Sequence, residues 1–344
     1  MKKIRALFRR KRLDHPPQQA AAVEPSATEN VPASDLTSQD SGDAPLASDV
    51  PAQDADVAPQ DQEGAADIPP PEPEVFEPFV AAKNRVRAAH AGSDAFRSVL
   101  FFTTHKCAST FVTALLDELD AKSPYTNMNY EGAYWELGDE INSVEVPVEE
   151  FLGRNSDMLL HKHGEIYGPL RKPFDFPGRE KFKHIFFFRD PRDVLVSMFY
   201  SYAYTHPEPI HTQARKIFLE RRERTIERGI DWFVLETTTE NLLPRFLGYG
   251  EILQNAENPL ILKYDEFSAE TETFLKKIAD YLDIELSDES LTKLTKFASP
   301  VRDGAPELEH KRSGRSGQWK HELKPETADK LNELFEPVLG KWGF

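Results

Sequence analysis

Cysteine is almost missing from this sequence of 344 residues: Cys107 is the only one. A lone cysteine excludes a disulfide within the chain and a cysteine-built zinc site, and it fits a reducing compartment. Long apolar runs are missing too. No stretch approaches the roughly 18 residues that a membrane-spanning helix needs. The basic start is followed by polar, proline-rich sequence where a secretory signal would carry its apolar segment. The expected location is therefore the cytoplasm. Aromatics are missing between Phe8 and Phe76, and residues 13–80 contain no Lys or Arg.

The charges are distributed unevenly. Residues 1–12 carry +7, residues 13–80 carry −15, and the remainder carries −8 of the total of −16. The charge extreme thus lies in the tail, and the rest lacks the broad basic face that nucleic-acid binding requires. Twelve of the 26 prolines fall between Pro16 and Pro78. Such a segment cannot bury enough apolar surface to offset the entropy of ordering it. Residues 1–80 therefore read as a disordered tail with a basic head and an acidic, Pro/Ala-rich remainder, and residues 81–344 as the folded domain. Ile4, Ala6, Leu7 and Phe8 among cations allow residues 1–12 to lie weakly on an anionic membrane surface. A solvated basic end pairing loosely with the acidic stretch is the other reading. Nothing in the sequence sets an oligomeric state.

Beyond Val80, apolar runs alternate with helical patterns. Ser98–Thr103, Met158–Leu160, His184–Phe188 and Leu260–Leu262 read as buried strands. Ser109–Leu119, Arg192–Tyr202, Thr212–Arg228, Thr271–Leu282, Glu289–Phe297 and Pro325–Val338 read as helices. This alternation predicts an α/β fold: three layers, α/β/α, with a central parallel sheet.

The first strand leads through Thr104-His105-Lys106-Cys107-Ala108 into a helix starting near Ser109. Small and hydroxylic loop residues, the free N–H groups of a helix start and the Lys106 charge together suit a phosphate-like group. A nucleoside-triphosphatase loop requires G-x-x-x-x-G-K-[ST], and this loop contains no glycine. A cysteine phosphatase would place arginine six residues beyond its nucleophile, where Thr113 stands. THKCASTF instead resembles the 5′-phosphosulfate loop of sulfotransferases that use 3′-phosphoadenosine 5′-phosphosulfate (PAPS). Lys106 takes the lysine position, Ser109, Thr110 and Phe111 take the end positions, and Cys107 and Ala108 stand where Ser and Gly are more usual.

Two further segments carry the same resemblance. HIFFFRDPRDVLVSMFY, His184 to Tyr200, resembles the family's 3′-phosphate segment, with Arg189 at the strand end and Ser197 in the following helix. A surface salt-bridge cluster is the plainer reading for Arg192 and Asp193. KRSGRSGQWKHE, Lys311 to Glu322, resembles the C-terminal glycine-rich loop, with Arg312, Ser313, Gly314, Gly317, Trp319 and Lys320 in matching positions. The segments follow in the family's order, 83 and then 123 residues apart (Lys106, Arg189, Arg312). Lys263-Tyr264-Asp265-Glu266 resembles the family's late-strand Tyr-Glu-Asp element.

The resemblance implies PAPS as sulfuryl donor, PAP as product and no metal. It implies Lys106 as the stabiliser of the leaving phosphate. The same resemblance puts Lys106, Cys107, Ala108, Ser109, Thr110, Phe111, Arg189, Ser197, Arg312, Ser313 and Gly314 on the donor. Phe297 is the expected adenine stacking partner, with Trp319 the other candidate. The acceptor's proton needs a base, and His163 in LLHKHGE best matches the family's histidine, with Glu165 in reserve and His161 on the same side if the strand continues. His161 and His163 alone do not make a metal site. Cys107, beside Lys106 at a helix start, is either a reactive thiol or a small side chain packed under the loop. Residues 203–250 are expected to face the acceptor. Arg215, Lys216, Arg221, Arg222, Arg224 and Arg228 there suit an anionic glycan or lipid headgroup, or a solvated helix face. The function classes that compete with a sulfotransferase acting on a small molecule, glycan or lipid are a nucleotide-dependent kinase and a non-catalytic nucleotide-binding protein.

Overall fold

The computed structural model describes residues 96–137, 147–209, 212–298 and 316–344. The expected tail, and Arg312, Ser313 and Gly314, lie outside the described residues.

Five parallel strands form one sheet: β1 (Val99–Thr103), β2 (Thr126–Met128), β3 (Glu165–Leu170), β4 (Lys183–Phe188) and β5 (Leu260–Lys263), in the order β2-β3-β1-β4-β5. β1 is central, paired with β3 on one side and β4 on the other. Its five residues are all buried, as expected of a strand covered on both faces. Alternation along the strands builds two cores. Val99, Phe101, Ile166, Ile185 and Phe187 face α1 (Ser109–Lys122) and the helix Thr271–Leu282. On the other face Phe102, Phe186 and Phe188 stack with one another and with Tyr249, Phe246 and Trp342. These last three residues come from the helices Leu243–Gln254 and Pro325–Trp342. The expected three-layer α/β/α architecture with a central parallel sheet is therefore the observed one.

Most expected elements are present, several with bounds moved by a residue or two. Two differ in kind. Met158–Leu160 is not a strand: Ser156–Leu159 is a helical turn and Leu160 an extended link. The strand is the neighbouring EIYGPL of β3, whose six residues are all buried. Gly168-Pro169 inside it reads as a turn signal in sequence. Here the glycine is required by packing, because a Cβ on Gly168 would lie 2.9 Å from Phe101 Cβ and 3.0 Å from Leu116 Cδ1. The second difference is the extent of the helix starting at Thr212, whose first arm is the expected Thr212–Arg228. It runs to Thr237 but breaks at Gly229, whose φ of 77° and ψ of 179° are not helical. Two arms result, 212–228 and 230–237.

Candidate active site

In a parallel sheet all carboxyl-terminal strand ends lie at one edge, and ligands of open α/β sheets bind in the crevice there. Four strands deliver the site at that edge: the loop after β1, Arg189 after β4, Glu131 just after β2 and Arg171 after β3.

The loop after β1 is shaped by two left-handed residues, Lys106 (φ 62°) and Ala108 (φ 47°). Ala108 caps α1 without any side-chain hydrogen bond, so no side chain claims the first-turn N–H groups of Ser109, Thr110 and Phe111. A left-handed loop feeding a free helix start is a concave array of N–H donors, the arrangement that holds anions. The Lys106 ammonium donates to Ser201 Oγ at 2.5 Å. Ser201 opens a π-helical turn, Ser201–Thr205, at the end of the helix Pro191–Tyr200. Ser201 lies one helical turn beyond Ser197 on the same face, and its hydroxyl meets Lys106.

Arg189 is 5% exposed. Its Nη1 donates to the Lys106 carbonyl at 3.5 Å, and its guanidinium lies 4.5 Å from the Tyr264 ring centroid. Tyr264, of the Lys263-Tyr264-Asp265-Glu266 element, is thus the platform under Arg189. Asp193 is no surface salt-bridge partner. It is buried, accepting the Gly317 N–H at 2.6 Å and the Trp319 N–H at 3.2 Å. Burial raises its carboxyl above the usual range, while Arg189 and the two N–H groups oppose this. Arg192 does make the expected ion pair, with Asp190, and stacks 4.1 Å from the Trp319 ring centroid. Trp319 is therefore covered by Arg192, whereas Phe297 stands 40% exposed at the end of the helix Asp288–Ala298.

Cys107 is fully buried, and its thiol lies 3.4 Å from the Phe187 carbonyl. Burial pushes the thiol up to about 12. The helix start and nearby cations do not overcome that desolvation, so the side chain packs under the loop and is not a thiolate. Alkylation by iodoacetamide at pH 8 is expected to be negligible in the folded chain and complete after unfolding in guanidinium. Rapid labelling of the folded chain would contradict this.

The structure separates the predicted base from this edge. His163 bridges Arg97, Lys162 O accepts the Ser98 N–H, and Gly164 N donates to Phe96 O. All of these contacts are at the entry to β1, whereas Lys106 follows its exit. Arg97 to Thr103 in extended form spans about 20 Å. His161 is adjacent to His163, their ring centroids 5.8 Å apart. Glu165 is sealed at the amino end of β3 against Tyr167. The assignment of His163, with its alternatives His161 and Glu165, to the transfer site does not fit this placement. It rested on the match of His163 to the family's histidine after a strand, with Met158–Leu160 read as that strand; LLHKHGE here precedes a strand, β3.

What stands at the exit edge is Glu131. It opens the helix Tyr130–Leu137 and is 4% exposed. One carboxylate oxygen accepts the Arg171 N–H at 2.5 Å, and the other pairs with Arg171 Nη1 at 3.1 Å. Burial raises its pKa and Arg171 opposes the rise, leaving it above the usual carboxylate range. The Arg171 carbonyl accepts from Arg245 at 3.2 Å, and Tyr249, one turn beyond Arg245, donates to the Thr103 carbonyl at 2.8 Å. The network therefore reaches from the end of β2 to the end of β1. No motif announced it: β2 has three residues, too few for a periodic signal.

Comparison with known proteins follows this geometry. The sequence profile described as the sulfotransferase domain matches residues 96–343. Sulfotransferase 2A6 of Rattus norvegicus is 23% identical over 211 residues, covering 53% of this chain and 67% of its own length. The 3-beta-hydroxysteroid sulfotransferase of Cavia porcellus is 22% identical over 174 residues, covering 46% and 56%. Over these curated relatives the chain thus spans between about half and two thirds of their length. Among solved structures, a mouse sulfotransferase complexed with PAP aligns with a TM-score of 0.42 and 20% identity, covering 72% of this chain and 86% of that one.

Proposed function

The chain belongs to the sulfotransferase domain family, and from that premise we propose that it transfers a sulfuryl group from PAPS to a hydroxyl of a small-molecule acceptor. The observation that carries this reading is the meeting of Lys106 and Arg189. They are 83 residues apart in sequence and joined through the Lys106 carbonyl at the sheet's exit edge. The residues there suit PAPS. Free first-turn N–H groups and Lys106 match the 5′-phosphosulfate, and Arg189 matches the 3′-phosphate. Ser197 and the Arg312-Ser313-Gly314 run join Arg189 by family pattern. PAPS supplies the activated sulfuryl group.

Catalysis of such a transfer is mostly positioning and charge stabilisation. Lys106, with the start of α1, stabilises the charge that grows on the leaving phosphate oxygen. The acceptor hydroxyl loses its proton as it attacks. Glu131 is the carboxylate at the edge where this happens, and we assign it the base role in place of His163. The steroid named for the Cavia porcellus relative supports a small hydroxylated acceptor. Residues 81–344 form the catalytic domain in this reading and residues 1–80 a tail. The test is transfer of radiolabelled sulfate from PAPS across phenols, sterols and sugars. Labelled product is expected from at least one class, and no labelled product with any class would contradict the assignment.

A further inference from the structure

A buried guanidinium close to the donor loop forms no ion pair among the described residues. Arg221 lies on the first arm of the broken helix and is 8% exposed. Among the described residues it makes no hydrogen bond and no ion pair, and its Nε is sealed from solvent without a partner. Its neighbours are rings: Tyr202 at 5.8 Å and Phe233 at 5.9 Å from the guanidinium carbon. Two aromatic faces offset only part of what it costs to desolvate a cation.

The surroundings add positive charge. Arg224, three residues on, also has a sealed Nε without a partner, and it lies 5.6 Å from the Trp232 ring. Arg228 lies at the same distance from that ring. The carboxylate facing these arginines is Glu236 on the second arm, which forms no ion pair with any of them among the described residues. Burial, and then Glu240, raise Glu236 above the usual carboxylate range, against the pull of Arg224, Arg221 and Arg228. Thr225 and Thr237 are fully buried on the two arms, and their hydroxyls have no partner. The helix breaks at Gly229 between the arms that carry these groups, and three arginines there face the single carboxylate Glu236 without an ion pair among the described residues.

Position connects this cluster to the chemistry. Tyr202, under Arg221, follows Ser201, which takes the hydrogen bond from Lys106. Arg222 fixes the same turn by donating to the Tyr202 carbonyl at 2.8 Å and to the His206 carbonyl. An anion drawn to this excess of positive charge would therefore lie on the acceptor side of the donor loop. We propose that Arg221, with Arg224, binds an anionic group of the acceptor, so that the substrate is a hydroxylated compound bearing a carboxylate, sulfate or phosphate. This inference rests on the sulfotransferase reading and narrows its acceptor class.

The test uses the full chain saturated with PAP and two matched pairs of probes. These are p-nitrophenyl β-D-glucuronide against the glucoside, and inositol 1-phosphate against inositol, with binding followed by calorimetry. The charged member of at least one pair is expected to bind at least about tenfold more tightly, roughly the 1.4 kcal/mol of one decade. Whether the carboxylate or the phosphate pair shows the preference identifies the kind of anion. Arg221→Gln is expected to erase the preference while PAP affinity stays unchanged, and Arg221→Lys to keep part of it. Equal binding within both pairs, or no binding by any probe to the PAP-loaded protein, overturns the proposal. So does an equal loss for charged and neutral probes in Arg221→Gln, since that marks a packing role. Failure of the wild-type protein to bind PAP would instead overturn the reading beneath it. The wild-type preference decides the matter even if the variants fold poorly.

Discussion

Lys106→Ala is expected to lower sulfuryl transfer by about 10²–10³-fold, the usual cost of removing one donor aimed at developing charge. Three features lead to this expectation. Lys106 sits on a left-handed backbone in the loop that opens α1. Its ammonium donates to the Ser201 hydroxyl at the exit edge of the sheet. Its carbonyl touches Arg189, so the backbone part of the site survives truncation of the side chain. The fold should survive as well, because the side chain is only half-buried and belongs to neither core. Charge on the leaving oxygen grows toward the transition state. The loss should therefore appear in the single-turnover rate more than in PAP affinity. A rate within a factor of two of wild type would remove Lys106 from the mechanism.

Glu131→Gln should cost transfer about 10²–10⁴-fold, the range for loss of a general base, while His163→Ala stays near wild type. The contrast follows from the sheet. Glu131 follows β2 at the exit edge, and His163 lies beside Arg97 at the entry to β1. The glutamine keeps an oxygen that can accept the Arg171 N–H, so the variant removes charge and basicity with little change of shape. It also leaves Arg171 without its carboxylate, and circular dichroism should accompany the kinetics to show that the fold is retained. The pH profile is diagnostic. The active form of a base is deprotonated, so transfer should fall as pH drops through the Glu131 pKa. Burial, outweighing Arg171, places that pKa above the usual carboxylate range. This acid limb should be missing from the residual activity of Glu131→Gln. Loss of turnover in His163→Ala with Glu131→Gln unaffected would reverse the assignment.

The strand–loop–helix unit after β1 and the strand that ends at Arg189 were readable in the sequence because each part is local. A strand, a loop and a helix start occupy about a dozen consecutive residues, and Lys106, Arg189 and Tyr264 each follow a buried strand. Three other features were not readable, each for a physical reason. β2 is too short to show a period, so nothing marked Glu131. The Gly168-Pro169 pair disguised β3, because the close approach of Phe101 and Leu116 that demands a glycine there is a tertiary fact. Missing β3 moved the strand assignment to Met158–Leu160 and carried His163 to the wrong edge. The arginines of residues 215–228 read either as suited to an anionic glycan or lipid headgroup or as a solvated helix face. Only the break at Gly229 and the rings of Tyr202 and Phe233 distinguish the buried Arg221 from its exposed neighbours.

Asp193 shows the same limit on a smaller scale. Its place in RDPRD suggests a surface pair, but its partners are the Gly317 and Trp319 N–H groups, more than 120 residues away. It ties the described end of the third segment to the helix that follows Arg189. That link is invisible to any local pattern.

The central claim is that Lys106 and Arg189 frame a site for a nucleotide carrying both a 5′-phosphosulfate and a 3′-phosphate. Calorimetric titration of the full-length protein with PAP and, separately, with ATP tests it most directly. Saturable binding of PAP is expected, at least about tenfold tighter than that of ATP, with the preference reduced in Arg189→Ala. Equal affinity for the two nucleotides, or a preference for ATP, would contradict the account.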